Sequence, residues 1–363
     1  MTYVQAVVIA LIQGVTELFP VSSLGHSVLV PAWFGGSWQS LVTQSSQADS
    51  GTSFYLAYIV ALHCATALAL MWFFRADWIR IIRGFLRSLP ASVRLSVQAR
   101  RLRLSVLDKN ERLAWMIIFA TIPVGLTGVV LEHPFRVLFA KPAAAAVLLF
   151  VNGLILLGAE ALRRSGARHK QAGGQSGVVR PAQAHVPVGP PWEWTAPVHG
   201  YTEGTHSYQS APQSAWHRRS SGGRDMADIA EAERSDERIS KLSYKSAILI
   251  GATQILALLA GISRSGVTMA GGLWRGLDNE DAARFAFLLA TPVILAAGVL
   301  KVPSLAGPAG AHIHGQVALG VIVCGIAAYL SVRFLVRWFQ TRTLTPFAIY
   351  CLAFGILSVL RFI

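Results

Sequence analysis

The sequence carries little charge. Of its 363 residues 53% are hydrophobic and 14% are charged, and the mean hydropathy is +0.49. An ordinary soluble domain has about 25% charged residues, so this composition disfavours a soluble enzyme. The charges that are present are unequal, with 32 Lys and Arg against 18 Asp and Glu. Such a basic excess is typical of nucleic-acid binders, of proteins on anionic lipid and of the cytoplasmic loops of membrane proteins.

Cysteine is scarce, and so is positive charge near the N-terminus. Cys64, Cys324 and Cys351 lie in apolar runs without metal-ligand or redox spacing. This pattern predicts small buried side chains and implies neither a disulfide framework nor a zinc site. Met1 to Val15 contain no Lys or Arg, unlike the basic start of a secretory signal peptide, so we expect this segment to belong to the mature protein.

Long apolar runs dominate the sequence instead, and six of them approach the roughly 20 residues that a helix needs to cross a bilayer. The predicted spans are Phe54–Phe74, Leu113–Leu131, Ala143–Ala159, Phe285–Leu300, Gln316–Val332 and Leu344–Leu360. The basic segments 75–112, 163–170 and 333–342 then share one face, which the positive-inside rule makes cytoplasmic, with both termini outside. Because the arginines lie between spans, a soluble nucleic-acid binder is excluded.

Two further apolar runs, Val4–Phe19 and Ser246–Ala260, are too short to span and break into polar turns that contain glycine. Non-helical backbone at membrane depth is tolerated only inside protein or beside water, so both runs are predicted as re-entrant hairpins. The two segments form an internal repeat, which appears when the sequence is compared with itself at a shift of 241 residues. The matched pairs are then Gln13 with Gln254, Ser22 with Ser263, Gly25 with Gly266, and Ser27 with Thr268. The predicted fold class is an all-α polytopic membrane protein with six transmembrane helices and two re-entrant helical hairpins in an inverted-topology repeat.

A long polar stretch separates the two repeats. The predicted organisation is a first repeat over 1–162, a flexible polar cytoplasmic insert over 163–242 and a second repeat over 243–363. Within the insert, Asp225–Leu242 is predicted as a short amphipathic helix, and the histidines are too far apart for a compact metal site. The polar segment Gly35–Ser53 is predicted as a loop.

Polar side chains inside the two hairpins are the candidate functional residues, because they are costly in hydrocarbon. They are Gln13, Glu17, Ser22, Ser23, His26, Gln254, Ser263, Arg264, Ser265 and Thr268. Arg264 is the one charge between Lys245 and Arg275, so we expect it to meet Glu17 or a ligand phosphate. By contrast His63, alone in an apolar run, is predicted as a core residue.

The first hairpin offers an acid and a nucleophile. Gln13 and Glu17 share a helix face. Glu17 is therefore expected to hold a divalent cation, Mg²⁺ or Ca²⁺, or to act as a base. The alternative is that both residues only pair with neighbouring side chains and have a structural role. Ser22, Ser23 and His26 lie in one tight loop, where a hydroxyl nucleophile and an imidazole base come within reach of each other.

The second hairpin offers groups that suit phosphate. The loop Gly261–Thr268 contains backbone N–H groups, hydroxyls and the fork of Arg264. The alternative is that the small residues of this loop only allow close helix packing. The charge of Arg264 argues against this alternative.

These residues lie in two motifs that closely resemble those of the undecaprenyl-diphosphatase family. The first is Gln13-Gly-Val-Thr-Glu17 followed by Pro20-Val-Ser-Ser-Leu-Gly-His26, and the second is Ala260-Gly-Ile-Ser-Arg-Ser-Gly-Val-Thr268. Ala260 replaces a proline of the family pattern, and Gln13 is a permitted variant that gives any metal site one charge fewer. The resemblance covers nearly the whole chain apart from 163–242 and 35–53.

The resemblance implies hydrolysis of undecaprenyl diphosphate to the monophosphate lipid carrier of cell-wall synthesis, with bacitracin resistance, at the outer side of the bacterial cytoplasmic membrane. It makes Glu17, supported by Gln13, the residue for cation or proton transfer. It makes Ser23 the nucleophile with His26 as its base, or else His26 the nucleophile with Ser23 assisting. The implied phosphate-binding residues are Ser22, Ser263, Arg264, Ser265 and Thr268. The alternative function is a transporter or flippase of isoprenoid phosphate lipids. The expected partners are a polyprenyl diphosphate lipid and the bilayer, and no nucleic acid is expected. The sequence does not decide whether the protein forms a homodimer.

Overall fold

The computed structural model describes residues 1–47, 54–99, 108–139, 141–175, 226–301 and 313–363. Within these ranges the chain forms α-helices and one 3₁₀ segment, Thr253–Leu258, and no strand. The helices before the central polar stretch are α1 (Tyr3–Thr16), α2 (Ser23–Phe34), α3 (Gly36–Gln47), α4 (Phe54–Phe73), α5 (Arg75–Ala99), α6 (Lys109–Phe139) and α7 (Pro142–Gln175). The helices from residue 226 onward are α8 (Met226–Ser240), α9 (Tyr244–Ala252), α10 (Arg264–Trp274), α11 (Asn279–Lys301), α12 (His314–Thr341) and α13 (Thr345–Phe362).

Five helices, α6, α7, α11, α12 and α13, are each long and apolar enough to cross a membrane. Ala57–Phe73 of α4 and Arg75–Leu89 of α5 pass the same test as a pair, with a bend of 83° between them. For the described residues, the prediction of an all-helical membrane protein is therefore confirmed. The apolar helices that lead into the two polar turns are shorter than the spans, as predicted.

Several segments that were predicted to be irregular are helical. The basic segment after residue 74 forms α5, and the predicted loop Gly35–Ser53 contains α3. Helix α7 continues past the predicted boundary at residue 162, because Glu160 accepts hydrogen bonds from Arg163 (2.7 Å) and Arg164 (3.1 Å) along one helix face. Residues 176–225 of the predicted insert lie outside the described residues.

The end of the predicted insert forms α8, as its pattern predicts, but this helix is packed rather than flexible. Asp236 lies beside Arg284 of α11 (Oδ1 to Nη2, 2.8 Å) and Arg80 of α5 (Oδ2 to Nη2, 2.9 Å). Arg238 donates from Nε to Oδ2 of Asp281 at 2.7 Å, and the hydrogen bonds to Asp281 raise the pKa of Arg238 above its usual range. Removing one member of such a buried set leaves the others unpaired, so α8 is held firmly against α5 and α11.

Two helix pairs fold back on themselves. Near the start of α1, Gln5 donates from Nε2 to Oγ of Ser37, which follows the end of α2 (3.4 Å). In the second pair, Arg275 follows the end of α10 and donates from Nη2 to Oγ of Ser246, in the first turn of α9 (2.7 Å). Each pair therefore begins and ends at the same end of the bundle.

The starts of these four helices repeat the same cap. Thr2, Ser22, Ser243 and Ser263 precede α1, α2, α9 and α10, and each side-chain oxygen accepts the N–H three residues on, at 3.1–3.2 Å. Such caps satisfy N–H groups that have no partner in the first turn. Because Thr2 coincides with Ser243 at the same offset as Ser22 with Ser263, the repeat extends to the first residues of both pairs.

Candidate active site

The polar turns of the two helix pairs meet inside the bundle. Ser22 Oγ accepts a hydrogen bond from the backbone N–H of Gly261 (3.2 Å), and Ser265 Oγ donates to the carbonyl oxygen of Phe19 (3.2 Å). Sequence positions about 240 residues apart are thereby joined by direct hydrogen bonds. The predicted phosphate-binding residue Ser265 is used for this contact.

Asn152 of α7 connects both turns. Its Nδ2 donates to the carbonyl oxygen of Pro20 (3.1 Å), and its Oδ1 accepts the N–H of Ser263 (3.0 Å). The side chain is fully buried, and α7 contacts both α2 and α10. Sequence reasoning missed this residue, although a single Asn inside the predicted span Ala143–Ala159 was a usable signal.

The backbone at the junction is constrained. Among the described residues, Ser22 is the only non-glycine with positive φ, at 72°. Gly261 has φ of 116°, and a Cβ atom there would lie 2.6 Å from the carbonyl oxygen of Ala145, so only glycine fits. Strain of this kind persists only where surrounding contacts hold it, and it concentrates at functional sites.

A small cavity lies where the turns meet. Its lining residues are Glu17, Ser22, Ser23, Leu24, His63, Ala257, Ile262, Ser263 and Arg264. The structure thus brings together an acid and a hydroxyl of the first hairpin with the guanidinium of the second. Thr268 donates to the carbonyl oxygen of Arg264 within α10 (2.7 Å) and, like Ser265, does not line the cavity.

The Glu17 carboxylate organises one wall. Its Oε2 accepts hydrogen bonds from Gln13 Nε2 (3.0 Å) and from the hydroxyl of Ser23. The carboxylate is almost fully buried. A serine hydroxyl that donates to a carboxylate has its proton acceptor already in place, which is the arrangement that nucleophilic attack requires.

His63 is not the passive core residue that the sequence predicted. Its Nε2 lies 3.2 Å from Glu17 Oε2, and its Nδ1 lies 2.8 Å from the carbonyl oxygen of Ile59. Since a carbonyl only accepts, Nδ1 carries a proton, and the contact to Glu17 needs a second proton between the two groups. His63 therefore contacts the same Glu17 oxygen as Ser23 and helps to orient the carboxylate.

Arg264 is the first residue of α10 and faces the same cavity. Its Nη1 lies 3.9 Å from Glu17 Oε1, beyond hydrogen-bond distance, and this buried atom has no hydrogen-bond partner among the described residues. An unpaired buried N–H is costly, and a helix N-terminus adds partial positive charge. The predicted pairing with Glu17 is therefore loose, and the free N–H suits an anion.

His26 points away from the cavity. Its Nδ1 donates to the carbonyl oxygen of Ser22 (2.7 Å), one helical turn back, and its Nε2 lies 2.7 Å from the hydroxyl of Tyr350. The ring also stacks on Phe354, with centroids 5.4 Å apart. Both ring nitrogens are thus occupied, and the structure does not bring His26 together with Ser23. Tyr350, a partner from the last helix, had no signal in the sequence.

The predicted cation ligands supply two oxygens. Gln13 Oε1 is buried without a hydrogen-bond partner among the described residues, beside the carboxylate of Glu17. The described residues contain no group of three or more His, Cys, Asp or Glu that could hold a metal. Two oxygens fit Mg²⁺ or Ca²⁺ when phosphate oxygens and water complete the shell, as is common for Mg²⁺.

An apolar helical bundle that encloses an acid, a hydroxyl and a guanidinium defines a class: multi-pass membrane proteins with a polar site inside the bundle. More specifically, the chain belongs to the family described as bacitracin resistance protein BacA, which it matches over residues 6–181 and 223–357.

Curated relatives are similar over their full length. The chain is 54% identical to undecaprenyl-diphosphatase 2 of Frankia alni, over 100% of this chain and 98% of that one. It is 48% identical to undecaprenyl-diphosphatase of Mycolicibacterium paratuberculosis, over 98% of this chain and 95% of that one. With undecaprenyl-diphosphatase 2 of Chromobacterium violaceum the identity is 35%, over 99% of both chains. The resemblance predicted from the two motifs is confirmed.

Proposed function

We propose that the protein hydrolyses undecaprenyl diphosphate to undecaprenyl phosphate and inorganic phosphate. This reaction recycles the lipid carrier of cell-wall synthesis and confers the bacitracin resistance after which the family is described. The relatives named undecaprenyl-diphosphatase support the substrate. One observation carries the reaction type: the Ser23 hydroxyl donates to Glu17 while the unpartnered Nη1 of Arg264 faces the same cavity.

In the proposed mechanism, Ser23 Oγ attacks the terminal phosphorus. The new O–P bond forms as the bridging P–O bond breaks, and the Ser23 proton passes to Glu17 and then to the leaving undecaprenyl phosphate. Water next attacks the phosphoserine, giving one proton to Glu17, which returns it to Ser23 Oγ as inorganic phosphate leaves. Arg264 and the N–H groups at the start of α10 offset the charge on the phosphoryl oxygens.

Two contacts support the finer topology of six spans and two re-entrant hairpins of opposite direction. Gln316, at the start of α12, donates to the carbonyl oxygen of Met1 (3.4 Å), which supports a first hairpin at the end of the bundle away from the basic segments. Arg112, in a basic segment, donates to the carbonyl oxygen of Leu242 (2.8 Å), which supports a second hairpin at the basic end. We propose that the basic end is cytoplasmic and that the site faces the outer side of the cytoplasmic membrane.

Phosphate release tests this function. The purified protein in detergent is expected to release one inorganic phosphate from each polyprenyl diphosphate and to leave a polyprenyl monophosphate. The same protein in liposomes provides the comparison. Movement of intact lipid phosphate across the bilayer without cleavage would establish the transporter alternative instead.

We further propose that Glu17 and Gln13 hold a divalent cation, which when bound offsets charge on the phosphate oxygens. EDTA is expected to lower phosphate release at least tenfold, and Mg²⁺ or Ca²⁺ to restore it. Gln13→Glu adds a carboxylate to the pair, so this variant should reach half-maximal activity at a lower cation concentration. Activity that is indifferent to EDTA in both proteins contradicts a required cation.

A further inference from the structure

Helix α5 runs across the basic end of the bundle. Helix α4 has 20 residues, about 30 Å of helix, and so reaches across the hydrocarbon by itself. The 83° bend then directs α5 almost perpendicular to α4, which places α5 close to the plane of the membrane surface. Its first turns are fixed there by Arg80, which contacts Asp236 of α8.

One side of α5 packs on the protein. Its buried residues are Asp77, Ile81, Gly84 and Ser88, which follow one another at helical spacing. A Cβ atom on Gly84 would lie 2.9 Å from the backbone of Glu111, and Trp115 donates to Ser88 Oγ (2.9 Å). This side therefore contacts the start of α6 closely.

The opposite side of α5 is apolar, and none of the residues that the structure describes covers it. Ile79, Ile82, Leu86 and Leu89 are between 39% and 57% exposed, and their spacing of three, four and three residues aligns them on one side of the helix. We call these four residues the apolar stripe. Because this side is a continuous hydrophobic surface at a polar end of the bundle, it requires an apolar partner.

Two arginines border the apolar stripe. Arg83 and Arg87 directly follow Ile82 and Leu86, so they lie about 100° round the helix from them. Both are exposed, and within the described part of the chain neither makes an ion pair. At the bend, the exposed ring of Trp72 lies under the guanidinium of Arg75, 5.2 Å away, as expected at the depth of lipid headgroups.

We propose that α5 is an interfacial helix that binds anionic phospholipid at the basic face of the protein. The apolar stripe enters the acyl region, and Arg83 and Arg87 contact the phosphates of the headgroups. An exposed hydrophobic side bordered by arginines is the chemistry of a helix that lies on an anionic membrane. The proposal rests on the topology given under the proposed function but not on the hydrolytic mechanism.

Lipid retention by the full-length chain tests the arginines. The probe is mass spectrometry of the intact protein released from vesicles of equal parts phosphatidylglycerol and phosphatidylcholine. Arg83→Gln/Arg87→Gln is expected to lower the retained phosphatidylglycerol relative to phosphatidylcholine about tenfold. The matched control is Arg333→Gln/Arg337→Gln, two exposed arginines four residues apart on the spanning helix α12, which should change that ratio less than twofold.

Two outcomes overturn the proposal. Equal loss of phosphatidylglycerol in both double variants shows a general charge effect rather than a site on α5. A lipid-free dimer that Leu86→Glu separates into monomers shows that the apolar stripe is a contact between two copies of the chain. Phosphate release in detergent, measured on every variant, is expected to stay within twofold of the parent and reports folding. A failed lipid result is thereby distinguishable from a failed hydrolase assignment.

Discussion

Arg264→Ala is expected to lower kcat/KM for polyprenyl diphosphate about 10³-fold or more, the range reported for arginines that stabilise transferring phosphoryl groups. The reason is the position of Nη1, which is buried without a hydrogen-bond partner among the described residues and faces the cavity beside Ser23 and Glu17. Without the guanidinium of Arg264, the negative charge that develops on the phosphoryl oxygens in the transition state loses its planar set of N–H donors. Phosphate release at several substrate concentrations separates the effects on kcat and KM.

The stability of the same variant gives an independent readout. Because the Nη1 of Arg264 has no hydrogen-bond partner among the described residues, the truncated protein loses no internal hydrogen bond at that atom. It does lose the loose ion pair with Glu17 (3.9 Å), so its Tm should fall only modestly below that of the parent. Arg264→Lys keeps the charge but not the planar fork, so its activity should lie between those of the parent and Arg264→Ala. Normal turnover by Arg264→Ala would refute the site.

Ser23→Ala should abolish hydrolysis to a similar or greater extent, about 10³-fold or more, because the attacking oxygen is removed. Rapid quenching of the parent protein with substrate should trap phosphate on Ser23 as an acid-stable ester. His26→Gln is the comparison, since the His26 ring bonds to Ser22 and Tyr350 outside the cavity. This variant should be slower only through altered packing, and it should still form the ester.

The chemistry of the trapped protein decides between the two nucleophiles. Phosphate attached to His26 is labile in acid, whereas the serine ester is not. An acid-labile phosphoprotein that persists in Ser23→Ala and disappears in His26→Gln would assign the attack to His26 and contradict the arrangement that the structure favours.

Most of the helical bundle could be predicted because apolar runs of about 20 residues have few alternatives in a chain with so little charge. Helix α5 could not. Its segment contains five arginines between residues 75 and 94, and a count of charges does not show that Arg80 is neutralised by Asp77 and by Asp236 of a distant helix. Ion pairs between elements far apart in sequence made a basic segment into a packed helix.

The candidate site was predicted to the extent that its residues share short motifs. Glu17, Ser23 and Arg264 line one cavity as expected. His63 and Asn152 were missed because each is a single polar residue in an apolar run. The role of such a residue depends on the side chains and backbone groups that it contacts, and the sequence does not show these contacts. For His26 the sequence suggested a contact that is not made. Its proximity to Ser23 in a tight loop suggested a hydrogen bond between them, but Nδ1 of His26 bonds to the carbonyl oxygen of Ser22 instead.

Asn152 has a consequence for how the two halves of the chain can move. Transporters built from inverted repeats rock one half against the other so that a central site opens alternately to the two sides. Here the amide of Asn152 bonds both turns at once, and Ser22 and Ser265 bond across the same seam. Rocking would break all of these bonds together. Under the proposed function, the two halves would therefore act as a fixed clamp, in which the lipid headgroup moves and the protein stays still.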